Sequence, residues 1–78
     1  MSRRKLTGLN GRRIVRGLQR GGFEIIRVSG SHHVLRKPEV PGSKVIVPVH
    51  GANDIPPGTV RSIIKQAGLT LDEFFALL

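Results

Sequence analysis

Apolar and polar residues alternate with two different periods along this chain, and the change of period outlines its elements. Over residues 11–20 the apolar positions recur at helical spacing between basic residues: Ile14, Val15 and Leu18. Asn10 stands where the N-cap of this amphipathic helix is expected. The pair Gly21-Gly22 that follows is typical of a left-handed helix stop. The pattern therefore predicts a first helix with one basic face.

The middle of the chain changes to strand-like runs. FEIIRV (residues 23–28) and HHVLRK (32–37) are rich in β-branched residues, and only the short segment 29–31, Ser-Gly-Ser, joins them. Such a connection predicts an antiparallel hairpin. KVIVPV (44–49) predicts a third strand, which should end or lie at an edge at Pro48 because proline has no amide proton.

Helical signals return after the third strand. Pro56 and Pro57 suit the start of a second helix that runs to about Ala67. Thr70 and Glu73 form a capping-box pattern at the start of a short last helix. The order predicts one α+β domain over residues 10–78, with helices on one face of a three-stranded antiparallel sheet and the other face open to a ligand. Residues 1–9 are expected to be a basic tail, with disorder and added ligand affinity left as alternatives.

The net charge of the chain indicates which class of molecule it binds. Thirteen Lys and Arg against five Asp and Glu give a net charge of +8, which favours a polyanion, and nucleic acid first. A solubilising excess, or a basic face for an acidic protein, is the alternative. Three arginines of the first helix are expected to contact phosphates, with ordinary solvated charge as the other interpretation: Arg12, Arg13 and Arg16.

Targeting signals and cysteine content indicate the cellular compartment of a protein. The basic start is not followed by the apolar segment of a signal peptide, and no stretch approaches membrane-spanning length. No cysteine is present, which fits a reducing compartment. A cytoplasmic protein without a membrane partner is expected.

The adjacent histidines His32 and His33 are the main candidates for chemistry. Strand alternation sends their rings to opposite faces, so only one can join a given site, and a packed or solvated imidazole is the structural alternative. A metal site with His50 is disfavoured by the same alternation, and no metal or cofactor is expected. An imidazole would move protons while nearby side chains hold the phosphates of a nucleic acid. The residues expected to make these contacts are Ser31, Arg27, Arg36, Lys37 and Lys44.

Several short motifs resemble the HicA family of bacterial and archaeal toxins, over about Gly11 to Phe75. The matching residues are Gly22-Phe23, Gly30-Ser31-His32, Pro48 with His50, Gly58-Thr59 and Ala67-Gly68-Leu69. The resemblance implies a double-stranded-RNA-binding-like fold and an mRNA interferase. Proton transfer by an imidazole at an RNA phosphodiester needs no metal, so cleavage is expected to be metal-independent. The resemblance also implies that His32 is catalytic, that Gly30 and Ser31 shape the turn presenting it, and that a HicB-like antitoxin binds the toxin as a hetero-complex.

Two alternatives to this function come from other classes. A non-catalytic double-stranded-RNA-binding module would use the same topology to read A-form shape. Such a module usually carries basic residues at the start of its last main helix, where this chain has only Arg61 and Lys65. An adaptor whose basic face serves an acidic partner is the third hypothesis.

Overall fold

The computed structural model describes residues 5–78 and has the predicted order of elements. They are α1 (Gly11–Arg20), β1 (Glu24–Ser29), β2 (His32–Arg36), β3 (Lys44–Pro48), α2 (Pro57–Ala67) and α3 (Leu71–Leu77). The predicted α+β class, with a short extra helix at the C-terminus, is confirmed. Among residues 5–78, no helix combines the length and the apolar character needed to span a bilayer.

The sheet is a simple antiparallel meander of order β1-β2-β3. β2 is the central strand, and each of its five residues has a partner in both β1 and β3. The β1–β2 register shifts between Ile25 and Arg27, which makes Ile26 the extra residue of a β-bulge. β3 ends at Pro48, as the missing amide proton predicts.

The core lies between one face of the sheet and the helices. Leu35, Val45 and Val47 point into it from the sheet. The helices contribute the apolar stripes seen in the sequence: Ile14, Val15, Leu18, Val60, Ile63, Ile64 and Phe74. Leu6 and Leu9, from the segment expected to be a basic tail, are also buried there. The rest of that expected tail, residues 1–4, lies outside the described residues.

Local capping signals explain where the helices begin and end. The Asn10 side chain accepts a hydrogen bond from the Arg13 N–H at 2.9 Å, which caps α1. Gly68 ends α2 in the left-handed conformation, with φ 70°. Thr70 and Glu73 form both hydrogen bonds of a capping box at the start of α3. These caps set the helix boundaries independently of the core packing.

Candidate nucleic-acid interface

His32 occupies the first position of β2, directly after the hairpin turn. Gly30 has φ 57° and Ser31 has no positive φ, the pattern of a type II′ turn, which matches the twist of the two strands. The Ser31 carbonyl accepts a hydrogen bond from the Val49 N–H at 2.6 Å, so the turn is tied to the chain that leaves β3. The His32 side chain is exposed. A tight turn with a second anchor therefore presents an accessible imidazole at the end of the central strand.

The two histidines face opposite sides of the sheet. His33 pairs with Val47 and shares the helix side with Leu35, whereas His32 shares the open side with Val34 and Arg36. His33 is half-buried, and its Nδ1 is enclosed without a hydrogen-bond partner in the described part of the chain. The alternation expected from the sequence is confirmed, and only His32 belongs to the open face.

Cations surround a cleft of about 400 Å³ on the open face. Its polar walls come from Arg27, Arg36 and Lys44, and its apolar floor comes from Ile26 and Val34. Within residues 5–78, none of these three cations forms an ion pair or a side-chain hydrogen bond. The three positive charges repel one another, and an anion bound among them would offset this repulsion. The cleft therefore favours an anionic ligand.

The cleft and His32 lie at opposite ends of the same strand face. His32 and Arg36 are the first and last residues of β2. At a rise of about 3.3 Å per residue they are roughly 13 Å apart along the strand. A single extended polyanion can therefore contact the cations and the imidazole at once.

The arginines of α1 form a different surface, on the helix side of the sheet. Arg12, Arg13, Arg16 and Arg20 line a groove of about 480 Å³ together with Leu78. The Arg20 guanidinium also donates a hydrogen bond to the Leu77 carbonyl at 2.9 Å, which ties α1 to α3. The cations predicted to contact phosphate are thus divided between two faces.

Lys37 and Ser31, which were also predicted to contact phosphate, line neither the open-face cleft nor the groove of α1. Lys37 is half-buried, and its Nζ lies 5.9 Å from the centroid of the Phe23 ring, at the distance of a cation–π contact. Its backbone N–H donates to Ser43 Oγ at 2.9 Å, at the point where β2 has ended. Ser31 is half-buried in the turn, and its carbonyl is engaged by Val49. Both residues have defined structural contacts.

His50 stands apart in the loop after β3. It is exposed, and its carbonyl accepts a hydrogen bond from the Asn53 N–H at 3.0 Å. The part of the chain that the structure describes contains no group of three or more His, Cys, Asp or Glu side chains placed to hold a metal ion.

The sequence pattern did not reveal the apolar floor of the open-face cleft. Ile26 is 56% exposed because the bulge removes it from the regular alternation. Val34 lies on the open face yet is only 4% exposed. The consecutive residues Ile25 and Ile26 were the available signal, because one of two adjacent apolar residues must leave the buried face of a regular strand.

The fold and the site together define a small basic α+β domain whose helices cover one sheet face. Its open face carries an accessible imidazole and three cations that have no ion-pair partner among residues 5–78. A comparison with known protein families matches residues 11–69 to the HicA toxin of bacterial toxin–antitoxin systems. The match spans more than half of the chain, which therefore belongs to the HicA toxin family. A comparison with curated proteins finds no match. Family membership makes the chain the toxin of a toxin–antitoxin pair and implies a HicB-type antitoxin as its partner.

Proposed function

We propose that this protein is an mRNA interferase that cleaves RNA without a metal ion, with His32 as the residue that transfers the proton. The observation that carries the proposal is the position of His32. Its exposed ring shares the open face with Arg27, Arg36 and Lys44, which have no acidic partner among residues 5–78. The cations hold the phosphates of a single strand, and the imidazole acts at the scissile phosphodiester.

The chemistry requires the movement of protons and no redox step. The RNA 2′-oxygen attacks the adjacent phosphorus and loses its proton, while the bond to the 5′-oxygen breaks and that oxygen gains a proton. The His32 imidazole either accepts the first proton or, when protonated, supplies the second, as a general base or general acid. The products are a 2′,3′-cyclic phosphate and a 5′-hydroxyl.

The arginines of the first helix extend the RNA contact beyond the open face. Arg12, Arg13 and Arg16 are exposed on α1 and line its basic groove. They neutralise phosphates of the flanking RNA without reading its sequence, since phosphate contacts position a nucleic acid and do not specify bases.

The antitoxin partner should compete with RNA for the open face. The net charge of +8 favours an acidic surface on a binding protein. A HicB-like protein that covers His32 and the cleft beside it would form an inactive hetero-complex in the cytoplasm.

The basic residues favour this function over a non-catalytic double-stranded-RNA-binding module. α2 offers only Arg61 and Lys65 to an A-form duplex, and both the cation cleft and the exposed histidine belong to the sheet. Shape recognition of a duplex requires no exposed imidazole on the open sheet face.

The proposal is tested by incubating the purified protein with single-stranded RNA, with and without EDTA. Cleavage that EDTA does not reduce, with cyclic phosphate termini, is the expected result. Binding without cleavage would instead support the double-stranded-RNA-binding module. If the protein neither binds nor cleaves RNA, the hypothesis of a protein-binding adaptor is supported instead.

A further inference from the structure

A second, smaller cleft lies on the helix side of the sheet, where α1 passes over the start of β2. Its volume is about 170 Å³. Its polar lining consists of Arg12, Arg16, Gln19 and His33, and the remaining walls are apolar: Val15, Ile25 and Val49. No carboxylate lines it, and neither arginine has an ion-pair partner among the described residues. This cleft is therefore cationic and separate from the open face.

The orientation of the His33 ring determines what it offers to a ligand. Nδ1 is enclosed and has no hydrogen-bond partner among residues 5–78, whereas the ring as a whole is only half-buried and lines the cleft. A proton on Nδ1 would be a buried donor without an acceptor, and orphaned buried N–H groups are rarer in proteins than acceptors that lack a donor. The proton of the neutral ring therefore belongs on Nε2, and Nε2–H is the donor that can meet a ligand in the cleft.

We propose that this cleft binds one phosphate group of the RNA, held by the His33 Nε2–H and the guanidinium groups of Arg12 and Arg16. The inference rests on the proposed ribonuclease function and adds a second site at which the protein contacts the RNA. A volume of about 170 Å³ is below the roughly 300 Å³ at which small-molecule pockets begin, so the cleft suits a phosphate better than a nucleobase with its sugar.

The position of the cleft allows one RNA strand to reach both histidines. Val49 lines the cleft, and it directly follows Pro48, the neighbour of His32 in the sheet. Both histidines therefore lie at the same end of the sheet, on opposite faces. A strand that passes His32 and continues around this end enters the cleft, so His33 positions RNA while His32 reacts.

The test compares variants of His33 in RNA binding and in cleavage. Binding is measured with a single-stranded RNA whose 2′-hydroxyls are methylated, so that it cannot be cleaved by the proposed route. His33→Leu removes the donor and is expected to weaken binding about tenfold, which corresponds to one hydrogen bond to a charged group. His33→Gln places an amide where Nε2 lies and is expected to retain the affinity. At saturating concentrations of unmodified RNA, both variants should cleave at the parental rate.

Further measurements separate this role from a structural one. His33→Leu also removes an unpaired buried nitrogen, so its unfolding temperature should not fall below that of the parent. Arg16→Ala should weaken binding as well, and the double variant should lose less than the two single losses combined, because both side chains hold the same phosphate. Arg61→Ala removes one positive charge from α2, outside the cleft, and serves as the matched control.

Two results would overturn the inference. If the parent cleaves RNA but His33→Leu binds it as tightly as the parent does, the cleft is not a phosphate site, and the ribonuclease proposal is unaffected. If His33→Gln abolishes cleavage at saturating RNA, His33 acts in proton transfer instead. A parent that does not cleave RNA defeats the ribonuclease proposal, whereas the binding comparison still decides the role of the cleft.

Discussion

At the residue scale, Gly11 shows how one missing side chain positions the site. Gly11 begins α1 and is buried. A Cβ on it would collide with the Pro48 carbonyl oxygen and would lie 2.9 Å from the Val49 Cα. Pro48 pairs with His32, and the Val49 N–H anchors the Ser31 carbonyl. The close approach at Gly11 therefore supports the strand end that presents the imidazole.

Gly11→Ala is expected to destabilise the fold by about 1–3 kcal/mol, because backbone atoms at the contact must move apart. Gly58→Ala is the matched control, since a Cβ there has no neighbour within 4 Å. In α2 the alanine should be neutral or add about 0.4–1 kcal/mol. Chemical denaturation of the three proteins measures these differences. Equal losses in both variants would contradict the role assigned to the close approach.

At the element scale, α3 depends on its first turn. The Glu73 carboxylate accepts a hydrogen bond from the Thr70 N–H at 2.8 Å, and Thr70 Oγ1 accepts one from the Glu73 N–H at 3.1 Å. Hydrogen bonds to this carboxylate, first from the Thr70 backbone N–H and then from the Thr70 side chain, hold the pKa of Glu73 below its ordinary value, with a smaller contribution from the charge of Lys37. The helix they start carries Phe74 into the core.

A lowered pKa in the folded state makes this capping box sensitive to acid. The stabilisation is complete above the ordinary glutamate pKa of 4.5 and is lost as the pH falls through the lower folded-state value. Glu73→Gln keeps a capping side chain without the charge. Unfolding temperatures from pH 7 to pH 3 should show the parent more stable at neutral pH, with the difference closing in acid. Glu39→Gln, which removes an exposed carboxylate elsewhere, controls for net charge, and a difference that widened in acid would refute the assignment.

The elements were predictable from the sequence because periodicity and caps act locally. Asn10, Gly68 and the Thr70–Glu73 pair carry their signals within a few residues. The apolar floor of the open-face cleft was not predictable, because it depends on the β1–β2 register. The bulge at Ile26 sets Arg27 opposite Val34, and two consecutive isoleucines do not show which of them is the extra residue.

The sequence also did not show on which face of the sheet each of these cations lies. Arg36 and Lys37 are adjacent, but β2 ends at Arg36. Lys37 then turns toward the Phe23 ring and away from the open-face cleft. The alternation rule places side chains only while the strand continues.

At the scale of the whole molecule, the positive charge is divided between the two sides of the sheet. Arg27, Arg36 and Lys44 lie on the open face, and the arginines of α1 lie on the helix side. RNA that contacts both faces releases counterions from each. Its affinity should therefore fall steeply as salt concentration rises.

Lys44→Ala should lower the slope of log affinity against log salt concentration by about 0.7, the value for one phosphate contact on a single strand. Lys65→Ala removes an exposed lysine of α2, outside both clefts, and should leave the slope unchanged. Fluorescence anisotropy with uncleavable RNA at several salt concentrations gives both slopes. An equal decrease for the two variants would indicate a diffuse effect of net charge rather than a contact at the open-face cleft.

The most direct test of the account is the cleavage rate of His32→Ala at saturating RNA. Loss of a proton-transfer group should slow cleavage by about 10²–10⁴-fold. The unfolding temperature should stay at the parental value, because the ring is exposed and contributes nothing to the core. RNA affinity should also stay at the parental value, because the proposed phosphate contacts come from the cations. His50→Ala, which removes another exposed imidazole, should cleave normally. If His32→Ala cleaves RNA at the parental rate, His32 is not the catalytic group and the proposed mechanism is wrong.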